Sequence, residues 1–258
     1  IAMLSVLLLV ALAETRTVSS AWFTLASALT LGTTVTKWMA GILGAWSRHT
    51  RQAALQISAN AFSIIVVLWA VQKYFFADSK FFLGGSAALQ RETGFIDFTR
   101  SGGLFTSAKA FLFHSMVMPE IQIVNMSQKA PWLEMSVQQS VPGSSGWLGL
   151  IAVAAWVILL TIGISTLFNS KTYEKFRLTL GLLLVGQFGL HLFYGNETLL
   201  YSLHYLPFML FTAALGSQTR WRMLVLVLAG MLLITGLLNN MQQFQFAMDF
   251  FDLALGAP

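Results

Sequence analysis

The sequence predicts an all-α fold: a polytopic transmembrane helix bundle of about seven spans, with amphipathic helices at the membrane interface. Composition is the first reason. The 258 residues are 56% hydrophobic and 10% charged, against about 25% charged in soluble domains, and the mean hydropathy is +0.70. Apolar runs of near-spanning length are the second. The third is charge sorting. Loops on one side carry Arg48, Arg51, Lys171, Lys175, Arg177, Arg220 and Arg222 with Glu174 as their only acid, while the loops opposite hold nine of the ten acids. Basic loops stay on the cytoplasmic side.

The first run, Ile1 to Ala13, is shorter than the roughly 20 residues of a full span, so the reading is a helix already under way, truncated at Ile1. The second, Ala21 to Trp46, starts after a Ser pair able to cap a helix and places Trp22 and Trp46 near its ends, as interface anchors sit. The third runs from about Leu55 to Phe76 and closes on Lys73 and Tyr74, which can snorkel outward. Residues 1–76 thus form the first three spans.

Residues 77–146 change character. They hold 10 of the 25 charged residues, three of the five prolines and several Gly/Ser breaks; a structureless loop of that length is improbable, so a small folded element or a set of interfacial helices is expected. Leu104, Phe105, Ala108, Phe111, Leu112 and Met116 recur at helical spacing, which predicts a surface-lying helix over Leu104 to Val117, stopped by Pro119.

Residues 147–238 supply four more spans: Trp147 to Phe168, Leu178 to Phe193, Thr198 to Gly216 and Met223 to Leu238. The tail, 239–258, places Met241, Phe244, Met248, Phe251 and Leu255 on one face and reads as another interfacial helix. Alternation puts the loops at Ser47, Asn169 and Ser217 in the cytoplasm. The insertion, the Tyr194 turn and the C-terminus then face outward from an inner (plasma) membrane.

Composition also excludes chemistry. Without cysteine there is no disulfide, thiol nucleophile or Cys-based metal site. The +5 net charge is spread over short loops and forms no basic patch, so nucleic acid is not a partner; membrane lipid is. No phosphate loop, zinc-protease helix or serine elbow is present.

The densest polar constellation is His191, Tyr194, Asn196, Glu197, Tyr201, His204 and Tyr205. On a helix starting near Glu197, that residue shares a face with Tyr201 and His204, and the short Tyr194 turn brings His191 close. Glu197, His204 and His191 are the catalytic candidates, with Tyr194 and Tyr201 beside them for substrate. A carboxylate with two imidazoles suits acid–base work, a divalent cation or a lipid phosphate. The plainer alternative is that the histidines bond across helices while Glu197 caps its helix. In the insertion, His114, Arg91, Arg100 and Lys109 are candidates for a phosphate at headgroup height. Lys37, inside the second span, can snorkel or pair with a buried acid.

The stretch His191-Leu-Phe-Tyr-Gly-Asn-Glu197-Thr-Leu-Leu-Tyr201-Ser-Leu-His204-Tyr-Leu-Pro207 resembles the C-terminal part of bacterial polytopic proteins of the GT-C glycosyltransferase-like class, the polyprenyl-phosphate-dependent sugar transferases. Leu31-Gly-Thr-Thr-Val-Thr-Lys-Trp38 and Phe111-Leu-Phe-His-Ser-Met-Val-Met-Pro119 lean the same way. The resemblance implies many spans, a surface helix, and transfer of sugar from a polyprenyl-phosphate donor at the outer face. In that class the catalytic acid sits in the first outer loop, where this chain has only Glu14. Either the catalytic half lies upstream of Ile1 or the likeness is one of fold alone. The alternatives are a non-catalytic subunit held by other membrane subunits, or a lipid or solute transporter.

Overall fold

A computed structural model of the chain describes residues 19–33, 38–76, 102–125, 133–193 and 197–255. The architecture is helical: α1 (Ser20–Thr33), α2 (Trp38–Arg48), α3 (Arg51–Phe75), α4 (Gly103–Lys109) running into a π turn (Ala110–His114), α5 (Trp147–Asn169), α6 (Glu174–Phe193), α7 (Ser202–Leu215) and α8 (Arg222–Leu255). Short 3-10 turns flank α7 at Thr198–Tyr201 and Gly216–Gln218. One antiparallel hairpin, β1 (Gln122–Asn125) with β2 (Leu133–Ser136), pairs Ile123 with Met135.

Among the described residues, five helical segments are long and apolar enough to cross a membrane: Arg51–Phe75, Trp147–Asn169, Glu174–Phe193, Thr198–Gln218 and Arg222–Asp252. They are compatible with a multi-pass membrane protein. The first expected span, Ile1 to Ala13, lies outside the described residues. The second, Ala21 to Trp46, is not one spanning helix: α1 and α2 are short helices packed against each other, with Ser27 beside Gly41 and the Phe23 and His49 rings 5.1 Å apart; residues 34–37 between them are not described.

The helices carry the marks of an apolar surround. Val67, Leu233 and Ile234 are each more than half exposed, which in water would be a liability. Their hydroxyls are satisfied within the helix: Ser63 donates to the Ala59 carbonyl, Thr161 to Val157 and Thr235 to Met231, at 2.8–2.9 Å. A polar group facing lipid has no water to turn to.

Two compact units divide the chain. The first comprises Ile1–Ile96 with Ser170–Leu190. Here Phe23, Ala45 and Ile57 form a buried core, and α3 contributes the stripe Ala54, Ile57, Ala61 and Ile65. Thr50 caps α3, its side chain accepting the Ala53 amide, and the hydroxyl of Thr179 on α6 meets that of Ser47 at 2.8 Å.

The second unit comprises Asp97–Asn169 with His191–Pro258. Its spine is α5 packed along α8 and α7. On α8 the buried residues Val225, Leu228, Leu232 and Asn239 make one stripe. Where α5 meets α7, Gly163 sits so close that a β-carbon there would fall 2.2 Å from the Thr212 carbonyl oxygen. Only glycine permits that approach.

Two boundaries differ from the sequence expectation. The helix over Leu104 to Val117 is α-helical only to Lys109; a π turn then takes Ala110 to His114. The next described stretch of the insertion forms a β-hairpin, where the sequence leaves a small folded element and interfacial helices both open. The tail is not a separate helix, because α8 runs unbroken from Arg222 to Leu255. At 1.5 Å per residue those 34 residues reach about 50 Å, well beyond the roughly 30 Å of bilayer hydrocarbon.

Candidate functional site

The described site residues all belong to the second unit, around the start of α7. Glu197 precedes the 3-10 turn in an extended conformation and makes no capping bond to it. The expected regular helix from Glu197 is therefore absent, and Glu197 is not a cap. Its carboxylate instead accepts from the Ser136 hydroxyl at the end of β2, and the Val137 amide approaches its second oxygen at 3.5 Å. The next residues extend the attachment. Gln138 accepts the Thr198 amide at 3.0 Å through its side-chain oxygen, and the Tyr205 hydroxyl donates to the Thr198 carbonyl at 3.3 Å. Glu197 thus fastens the hairpin to the α7 entry.

The rings form a second layer. Phe111 stacks on Tyr205, centroids 4.1 Å apart. His191 packs against Tyr205 at 5.3 Å and Tyr201 at 5.2 Å, and His204 lies 6.3 Å from Tyr201. Phe111, His191 and Tyr205 are buried; Tyr201 and His204 are half-buried. The result is a buried floor with a tyrosine and an imidazole at its accessible edge. The structure therefore brings both His191 and His204 to the Tyr201 ring, while the Glu197 carboxylate is engaged by the hairpin.

The insertion candidates separate. His114 is 1% exposed on the π turn, so it does not present itself to a ligand at the surface. Burial first, and the nearby Lys109 cation second, push its pKa down to about 4. The Lys109 ammonium donates to the Gln139 carbonyl at 3.0 Å, and burial lowers its pKa as well. Tyr194, Arg91, Arg100 and Lys37 lie outside the described residues. Among the described residues, no group of three His, Asp or Glu side chains is placed to hold a metal ion, so the geometry offers a divalent cation no ready cage.

Sequence reasoning missed the residues that build the site. Ser136, Val137 and Gln138 drew no role from the sequence, and Asn239 and Asn240 read as the start of the interfacial tail. Two asparagines in an apolar helix were the available signal. Asn240 accepts the Met118 amide at 2.9 Å and donates to the Met116 carbonyl at 3.1 Å; Asn239 donates to the Met118 carbonyl at 2.8 Å and accepts from Ser145. Gln243 takes the Ile121 amide at 3.2 Å. One edge of α8 thereby satisfies the irregular backbone after the π turn, as buried peptide groups require.

Comparison with protein-family models, curated proteins and solved structures finds no match.

Proposed function

We propose that this chain is the C-terminal part of a membrane glycosyltransferase of the GT-C-like class, using a polyprenyl-phosphate-linked sugar at the outer face of the inner membrane. The observation that supports it most is the half-buried Tyr201–His204 edge above the Phe111–Tyr205–His191 floor. Aromatic faces with hydroxyl and imidazole edges suit a sugar, which is apolar on its ring faces and polar around its rim.

Roles follow from placement. His204, accessible and titratable, is the group that can carry a proton to or from the sugar. Tyr201, against which both histidine rings pack, contacts the sugar ring. His191, buried behind Tyr201, positions it. Glu197 is a positioning residue too: its carboxylate is engaged by Ser136 and Val137. Lys109 supplies a cation for phosphate at headgroup height.

The test is a transfer assay. Membranes carrying the full-length protein are incubated with a set of radiolabelled polyprenyl-phosphate monosaccharides, and loss of label from the donor is followed. We expect turnover of at least one donor, and a fall of about 10²-fold or more in His204→Ala. Turnover of none, or full activity in His204→Ala, refutes the assignment.

A second reading draws on Glu197 itself. A carboxylate already engaged in holding a hairpin is what a non-catalytic subunit needs at a fixed docking face. Purification from native membrane separates the two, since a subunit emerges in fixed stoichiometry with other chains.

A further inference from the structure

His114 takes no part in the site described above, yet it is a buried ionisable group held in the second unit. Its ring is 1% exposed, and neither Nδ1 nor Nε2 has a hydrogen-bond partner. The backbone of Ser140 approaches and favours the cation slightly, without the geometry of a bond. A buried imidazole in that state is tolerable only while neutral, because an unpaired buried charge costs far more than an unpaired dipole.

Among the described residues, the elements packed on the π turn bring only one acid near, and it is already engaged. Lys109, five residues earlier on the same helix, is a cation and opposes a second one. Helix α5, which packs on the π turn, carries no titratable residue from Trp147 to Asn169. The Thr198–Tyr201 turn, which also packs on it, brings Tyr201, with Glu197 just before it. His191 and Tyr205 face the turn through Phe111. Of these, only Glu197 can be negative near neutrality, and it is held by Ser136 and Val137.

The segment around His114 is also suspended in a particular way. It leaves regular helix at Ala110, and π turns occur most at functional positions. Its Leu112 carbonyl hangs from the Trp156 indole at 2.8 Å, and its continuation is gripped by Asn239, Asn240 and Gln243. It can therefore let go as one piece, residues 110–121, without breaking a spanning helix.

We propose that His114 is a proton-operated release: protonation of its buried ring expels the 110–121 segment, Phe111 with it, from its packed position and bares the faces of Tyr205 and His191 that Phe111 covers. The inference does not rest on the glycosyltransferase reading and holds for either function considered above. The packed form holds the ring neutral, with a pKa of about 4, while an expelled ring returns to about 6.5. Protons thus bind the open form preferentially. The opening equilibrium rises as pH falls from about 6.5 to about 4, by about 10²-fold, and is flat outside that window.

The experiment is hydrogen–deuterium exchange by mass spectrometry on the purified chain in lipid nanodiscs, from about pH 7.5 to about pH 4.5. His114→Phe and Glu197→Gln are run beside it, so that intrinsic exchange chemistry cancels at each pH. Glu197→Gln is needed because acid also titrates that carboxylate. We expect peptides covering 110–121 to lose about 50- to 100-fold in protection relative to α5. His114→Phe should abolish that loss and Glu197→Gln should keep it. An acid response that survives in His114→Phe, or is missing from the unaltered chain, overturns the proposal, as does one abolished by Glu197→Gln. Should His114→Phe fail to fold, His114→Asn is judged by the same outcomes.

Discussion

Asn240 accepts the backbone amide of Met118 at 2.9 Å, across 122 positions of sequence. With the return bond from its side-chain amide to the Met116 carbonyl, one asparagine stands in for a β-strand partner. A spanning helix thus extends past its apolar length to hold the segment beside the candidate site. Replacing Asn240 by Ala leaves a donor and an acceptor unpaired, at about 2–3 kcal/mol. Hydrogen exchange of residues 116–121 should rise accordingly, while exchange within α5 stays unchanged.

Trp156 is fully buried on α5 and carries the Leu112 carbonyl. Trp156→Phe keeps most of the apolar volume but orphans that carbonyl, which costs about 1–3 kcal/mol. A lowered thermal midpoint with loosened exchange at Ala110–His114 is the expected result. An unchanged midpoint would show that water replaces the indole.

Ser136 and Glu197 should behave as a coupled pair. A double-mutant cycle with Ser136→Ala and Glu197→Ala is predicted to return about 1–3 kcal/mol of coupling, since the bond is charge-assisted and partly shielded. Simple additivity in denaturation would mean that the hairpin is held by other contacts.

Gly163→Ala puts a methyl group against the Thr212 carbonyl. No side chain can move aside there, because the obstacle is backbone. The helices α5 and α7 must part, and overpacking of this kind costs about 1–3 kcal/mol. A melting temperature equal to that of the unaltered chain would rule out this close crossing.

Spanning helices were legible because nothing competes with apolarity over twenty residues; Trp147 to Phe168 emerges as Trp147–Asn169. Long-range pairing was not. Asn239 and Asn240 are weak helix formers, so local pattern ended the span there, whereas their bonds to residues 116–118 keep the helix intact. Glu197 misled in the opposite way. Local logic makes an acid before a helix a cap, but a partner 61 positions away claims it. The π turn leaves no periodic signature, since one extra residue per turn merely shifts the phase of an apolar stripe. The short connection between the helices of His191 and Tyr201 implied only that the helix ends lie close; the structure sets the two rings 5.2 Å apart.

The central claim is that the Tyr201–His204 edge receives the sugar of a polyprenyl-phosphate donor. It is tested most directly by photo-crosslinking the chain in nanodiscs with a polyprenyl-phosphate sugar bearing a diazirine on the sugar ring, and mapping the adduct by mass spectrometry. The account predicts label on residues 198–207, competed away by unlabelled donor and reduced in His204→Ala. Label confined to the exposed apolar faces of α3 and α8, unaffected by competitor, would contradict it.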